Sequence, residues 1–164
     1  MFDFVNLRRH LMLRIVLVVG ALLLAVIGCA PVAPSTIQVS DSKIRAAFTQ
    51  ATTGAAYMTI TNHTAIDDRL MSVSSLTYIA RDIQIHTMLM EDDMMIMQQV
   101  TDGVALPAGG EVVFGPGGFH IMFIGLQTAL DEGKHIALTL NFANAPAQTI
   151  NFPVVAMHTN SMPH

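Results

Sequence analysis

Between residues 37 and 155, apolar and polar side chains alternate in short runs broken by Gly, Pro, Asn and Asp. A period of two marks a strand with one face on a core and the other toward water. The clearest run is 54–62, where Ala56, Met58 and Ile60 share one face and Tyr57, Thr59 and Thr61 the other. Residues 135–142 repeat the pattern, with Ile136, Leu138, Leu140 and Phe142 aligned. Shorter strands are predicted at 37–39, 44–48, 69–73, 94–100, 111–114 and 119–124. A further strand holds Ile83, Ile85 and His86; parity puts Gln84, His86 and Met88 on one side of it. Turns are expected at 62–68, Asp92-Asp93, 101–103, 107–110 and 115–118, and a helical turn or loop at 129–133. The last strand, 148–155, contains Pro153, which predicts a sheet edge. Many short strands, frequent turns and no long amphipathic helix predict an all-β sandwich or barrel.

The pattern before residue 37 is of another kind. Arg8, Arg9 and Arg14 precede or open an apolar run at 15–27, long enough for a secretion signal and short for a spanning helix. Val26-Ile27-Gly28-Cys29 has the form of a bacterial lipobox. Residues 1–28 are therefore expected to be a lipoprotein signal peptide, cleaved behind Gly28, with Cys29 lipidated. Two or three acyl chains hold a protein on a membrane where one does not. The competing reading is an uncleaved anchor helix with an incidental Cys. Residues 29–36 read as a Pro-containing tether, 37–156 as one β domain and 157–164 as a His/Met-rich tail. The expected location is extracytoplasmic and membrane-anchored, in a periplasm or on the outer face of the cell membrane.

Composition narrows the chemistry. Cys29 is the only cysteine, so no intramolecular disulfide forms and no thiolate serves a site in the domain. Residues 29–164 carry 5 basic and 11 acidic side chains, a balance of −6 that excludes nucleic acid as a partner. No G-x-S-x-G and no phosphate loop occurs, and Glu91, Asp92 and Asp93 read as a solvated turn, so no enzyme is expected.

Methionine is the outlier. Five of the ten methionines after residue 28 lie in 87–99: Met88, Met90, Met94, Met95 and Met97. Methionine in an apolar run is ordinarily adaptable core filler. His120 and Met122, two apart in a strand-like run, point to one face. With His86 and Met97 they make a soft, neutral set of two imidazoles and two thioethers, suited to Cu(I) and poorly suited to oxygen-seeking cations.

The spacing resembles the PCuAC-type periplasmic copper chaperones, whose motif is His, ten residues, Met, about twenty-one residues, His-x-Met. Here 10 residues separate His86 from Met97 and 22 separate Met97 from His120, one more than the family pattern. G-A-A-Y-M-T-I-T-N at 54–62, D-R-L at 68–70, L-P-A-G-G at 106–110, P-G-G-F-H-I-M at 116–122 and L-T-L-N-F at 138–142 extend the likeness over 36–156. The resemblance implies a cupredoxin-like Greek-key β sandwich and a shallow Cu(I) site made by His86, Met97, His120 and Met122. It also implies delivery of copper to an acceptor, typically the CuA centre of cytochrome c oxidase subunit II. Met88, Met90, Met94 and Met95 would form a soft rim. A blue-copper electron carrier needs a Cys ligand, which this domain lacks. A copper-scavenging or resistance buffer, or a structural β-sandwich lipoprotein without metal, remains open beside the chaperone. The tail, with Met157, His158, Met162 and His164, is either an incidental polar end or an auxiliary arm taking Cu(II) as well as Cu(I). His63 and His135 read as surface residues.

Overall fold

The computed structural model describes residues 36–46 and 51–156. The signal segment, Cys29, residues 29–35 of the tether and the tail lie outside the described residues. Every regular element described is a strand: β1 (Ile37–Ala46), β2 (Thr53–Asn62), β3 (Asp68–Ser74), β4 (Ala80–Glu91), β5 (Met94–Gln99), β6 (Val104–Leu106), β7 (Glu111–Phe114), β8 (His120–Leu126), β9 (His135–Phe142) and β10 (Gln148–Val155).

The strands run in the order β5-β4-β8-β2-β1-β10-β9-β3-β6, with β7 beside β2. Named neighbours pair antiparallel except β1 and β10, whose parallel pair joins the two halves of the sandwich. β7 and β8 share one side of β2: Phe114 to Glu111 pair with Met58 to Thr61, while Ile124 to Ile121 pair with Thr53 to Ala56. The expected all-β architecture is what forms.

The core collects the alternate positions. Ile44, Ala56, Met58, Ile60, Ile121 and Phe123 from one half meet Leu70, Leu138, Leu140, Phe152 and Val154 from the other, all buried. Burying a side chain such as Phe123 or Phe152 contributes about 1.5–3 kcal/mol. β2 alternates buried and half-exposed residues along its whole length, as its sequence predicts.

Two expectations change. The two strands expected at 37–39 and 44–48 are one, β1, because a bulge between Ser40 and Lys43 with Asp41 at φ 52 lets the chain bend without ending the strand. Of the two forms expected for 129–133, the loop is the one that forms, with Gly133 at φ 81. Pro153 is not on an edge strand, since β10 lies between β1 and β9. The amide of Val154 donates to the Lys134 carbonyl on the β9 side, so the Pro153 nitrogen faces β1. Pairing with β1 begins only at Val154, so the missing N–H breaks no ladder bond.

Candidate functional site

Two turns set the site. The β4–β5 hairpin closes through Asp92 and Asp93, both left-handed at φ 48 and 61, as a two-residue type I′ turn requires. That turn fixes the register: Met90 faces Met95, Met88 faces Met97 and His86 faces Gln99. The second turn, Gly115–Gly118, has Pro116 at its second position and Gly117 at φ 80 at its third, where a side chain would be strained. Its Gly118 amide donates to the Gly115 carbonyl at 3.1 Å. The turn delivers His120 to the first position of β8.

β8 pairs with β4 so that His120 stands directly opposite His86 and Met122 opposite Gln84. The imidazole centroids are 5.8 Å apart with planes tilted by 41°. Met97 lies on the same face of β5, diagonal to His86. The structure thus brings His86, Met97, His120 and Met122 onto one face of three adjacent strands. This is the outer face; Ile85, Ile121 and Phe123 point the other way into the core. A cavity of about 400 Å³ opens here, walled by Met88, Met97, His120 and Met122 and, across from them, by Arg45, Tyr57, Pro116 and Gly117. His86 sits just beneath, only 8% exposed. The Arg45 guanidinium lies 6.0 Å from the centroid of the Tyr57 ring, which holds a positive charge at the cavity wall.

The hydrogen bonds assign both imidazoles. The His120 Nδ1 lies 3.1 Å from the Gly118 carbonyl oxygen, which can only accept, so Nδ1 carries a proton and, in the neutral ring that binds a metal, Nε2 is the lone-pair nitrogen. The Gln84 amide donates to Asp82 Oδ2 at 2.6 Å, which turns its oxygen toward His86 Nε2 at 2.8 Å. His86 Nε2 therefore donates, and Nδ1 is the lone-pair nitrogen. That Nδ1 is buried without a partner. Burial, then the neighbouring His120 charge, pushes the His86 imidazole below its ordinary 6.5, toward the neutral form.

Sequence reasoning missed part of this wall. Gln84 was visible by parity but not its hold on His86, and Arg45 and Tyr57 come from strands distant along the chain. Of the expected soft rim, Met88, Met90 and Met95 do share the His86 face, whereas Met94 pairs with Glu91 on the opposite one. His63 and His135 are exposed and away from the cavity, His63 bonded to Gln38 at 3.0 Å.

Comparison with known proteins places the chain. The family model described as "Putative lipoprotein LpqE-like" matches residues 37–154. The chain belongs to the LpqE-like lipoprotein family. A relative, "Putative lipoprotein Lxx21020" of Leifsonia xyli subsp. xyli (strain CTCB07), is 30% identical over 146 residues, 83% of this chain and 86% of that protein. Among solved structures, the copper-bound PCuAC domain from PmoF2 superposes with a TM-score of 0.62 at 26% identity, covering 76% of this chain and 96% of that one. Cu(I)-loaded DR1885 from Deinococcus radiodurans gives 0.56 at 24% identity over 77% and 80%, a likeness of fold. The LpqE-like chain therefore has the PCuAC architecture that its motifs led us to expect.

Proposed function

We propose that this protein is an extracytoplasmic, membrane-tethered Cu(I) chaperone that holds one ion through His86, Met97, His120 and Met122. The observation that carries the reading is the pair of facing imidazoles, each with one ring nitrogen tied to a protein acceptor and the other turned away from that bond, beside two thioethers on the same face. Metal-bound histidines are oriented in this way by an outer partner on the second nitrogen. Among the described residues no Asp or Glu lines the cavity and Arg45 borders it, a setting that disfavours divalent, oxygen-seeking cations and tolerates a soft monovalent one. The copper-bound PCuAC neighbour supports the same reading.

Copper is cargo here. Met97 is 46% exposed, so an incoming acceptor can replace one thioether while the imidazoles still hold the ion. Transfer is ligand exchange without change of oxidation state. The lipobox supplies the tether: Cys29, lipidated after removal of residues 1–28, would keep the domain at a membrane surface on the 29–36 linker. The acceptor we favour is the CuA centre of cytochrome c oxidase subunit II, on the strength of the family resemblance.

The test is an anaerobic Cu(I) titration of the detergent-solubilised full chain against a competing chelator. His120→Ala/Met122→Ala should lose affinity by more than the roughly 10–100-fold that removing an outer partner costs. Its circular dichroism and urea midpoint should stay near those of the parent, because both side chains stand on the outer face. Unchanged affinity would refute the ligand assignment.

A further inference from the structure

The β4–β5 hairpin continues past the site. Beyond the His86–Gln99 pair come Met88–Met97 and then Met90–Met95, each pair directly opposed and all four on the His86 face. Opposed side chains in an antiparallel pair have Cβ atoms about 4.5–5.5 Å apart, and successive same-face rungs are roughly 7 Å apart along the strand. The result is a ladder of thioethers leading from the imidazoles to the hairpin tip.

Packing does not explain the outer rung. Met90 is 67% exposed and Met95 50%, on a strand pair whose β5 is exposed throughout. Neither thioether belongs to the hydrophobic core. Leu89 and Ile96, on the other face, are exposed as well and carry no ligand atom. The four methionines occupy one face, and Glu91, Asp92 and Asp93 at the tip place negative charge just beyond the outer pair.

We propose that Met90 and Met95 form a second, weaker Cu(I) site, an outer rung through which the ion enters and leaves the His86 site by way of Met88 and Met97. The inference rests on the Cu(I) reading of the inner site. Each step makes one thioether–Cu(I) bond and breaks another; copper stays monovalent and no proton or electron moves. A two-thioether site binds more weakly than one with two imidazoles added, which suits a point of exchange.

The experiment uses the full chain in detergent with 13C-methyl methionine, titrated anaerobically with Cu(I), the methyl signals assigned by single Met→Leu variants. The first equivalent should move Met97 and Met122; the second should move Met90 and Met95 and leave Met94 still. In Met90→Leu/Met95→Leu, the second response should vanish and stopped-flow transfer of the first ion to bicinchoninate should slow several-fold, with the inner affinity unchanged. Met90 and Met95 methyls that do not move, or a transfer rate equal to the parent's, overturns the proposal. Repeating the titration in His120→Ala/Met122→Ala separates the two claims: the outer methyls should still respond. If the inner methyls of the parent never move while the outer ones do, the inner assignment fails and the outer site stands.

Discussion

Two buried polar regions of this sandwich differ in one respect. At the end of β2, Asn62 is fully buried and has every side-chain group occupied. Its amide donates to the Ile66 and Leu106 carbonyls, both at 2.9 Å, and its oxygen accepts from the Thr64 amide and hydroxyl at 3.0 and 2.7 Å. Asp68, at the start of β3, accepts from the backbone amides of Arg69, Asn144 and Ala145 at 2.7–2.9 Å. Together they lace the 62–68 loop to β6 and to the loop before β10. On the outer face of β4, by contrast, His86 is nearly as buried but leaves Nδ1 without a partner. An unpaired buried polar group costs about 1–3 kcal/mol. The first region uses its polar groups to close loops; the second keeps a lone pair in reserve. That difference separates structural polarity from a site built for a ligand.

The largest expected effect that sharpens the contrast is on the satisfied side. Asp68→Ala would strand three backbone amides and should lower the urea unfolding free energy by about 2–3 kcal/mol, while leaving Cu(I) affinity untouched. Burial alone would raise the Asp68 carboxyl, but bonds from Arg69, Ala145, Asn144 and Ala143 outweigh it and hold it below its ordinary 3.8. The unfolded chain then binds the extra proton first. Stability from Asp68 is thus complete above 3.8 and lost as pH falls through the lower folded value. His86 behaves alike in direction but in another window. Its folded value lies below 6.5, so apo stability declines as pH drops beneath 6.5. A pH series of urea midpoints should show both declines, the acid one missing in Asp68→Asn. If Asp68→Ala instead weakens Cu(I) binding, the two regions are not independent.

A smaller effect tests the reserved lone pair. Gln84→Ala removes the acceptor that fixes the His86 tautomer and should cost about tenfold in Cu(I) affinity, the lower end of what an outer partner contributes. Gln84 and its bond are partly exposed, so the urea midpoint should barely move. A loss of stability with full affinity would make Gln84 a structural residue and remove the distinction drawn above.

The difference between the regions also explains what could be read in advance. Parity is local, so the core faces of β2 and β9 and the shared face of His120 and Met122 were legible from the chain itself. The His86 and Met97 spacing was legible only through the family resemblance. Register is not local: that His86 stands opposite His120, and Met88 opposite Met97, depends on hairpin and sheet pairings set by the Asp92-Asp93 and Gly115–Gly118 turns. Pro153 was misplaced for the same reason. A proline rule that considers one strand cannot see that β10 pairs with β1 only from Val154 onward. Met94 was grouped with its neighbours in sequence and parted from them by alternation.

The most direct measurement is copper K-edge X-ray absorption on the full chain loaded anaerobically with one equivalent of Cu(I). The ligand set proposed here predicts a first shell fitted by two imidazole nitrogens and two thioether sulfurs, with the sulfur contribution reduced in Met122→Leu. A shell without sulfur, or one unchanged in that variant, would contradict the assignment.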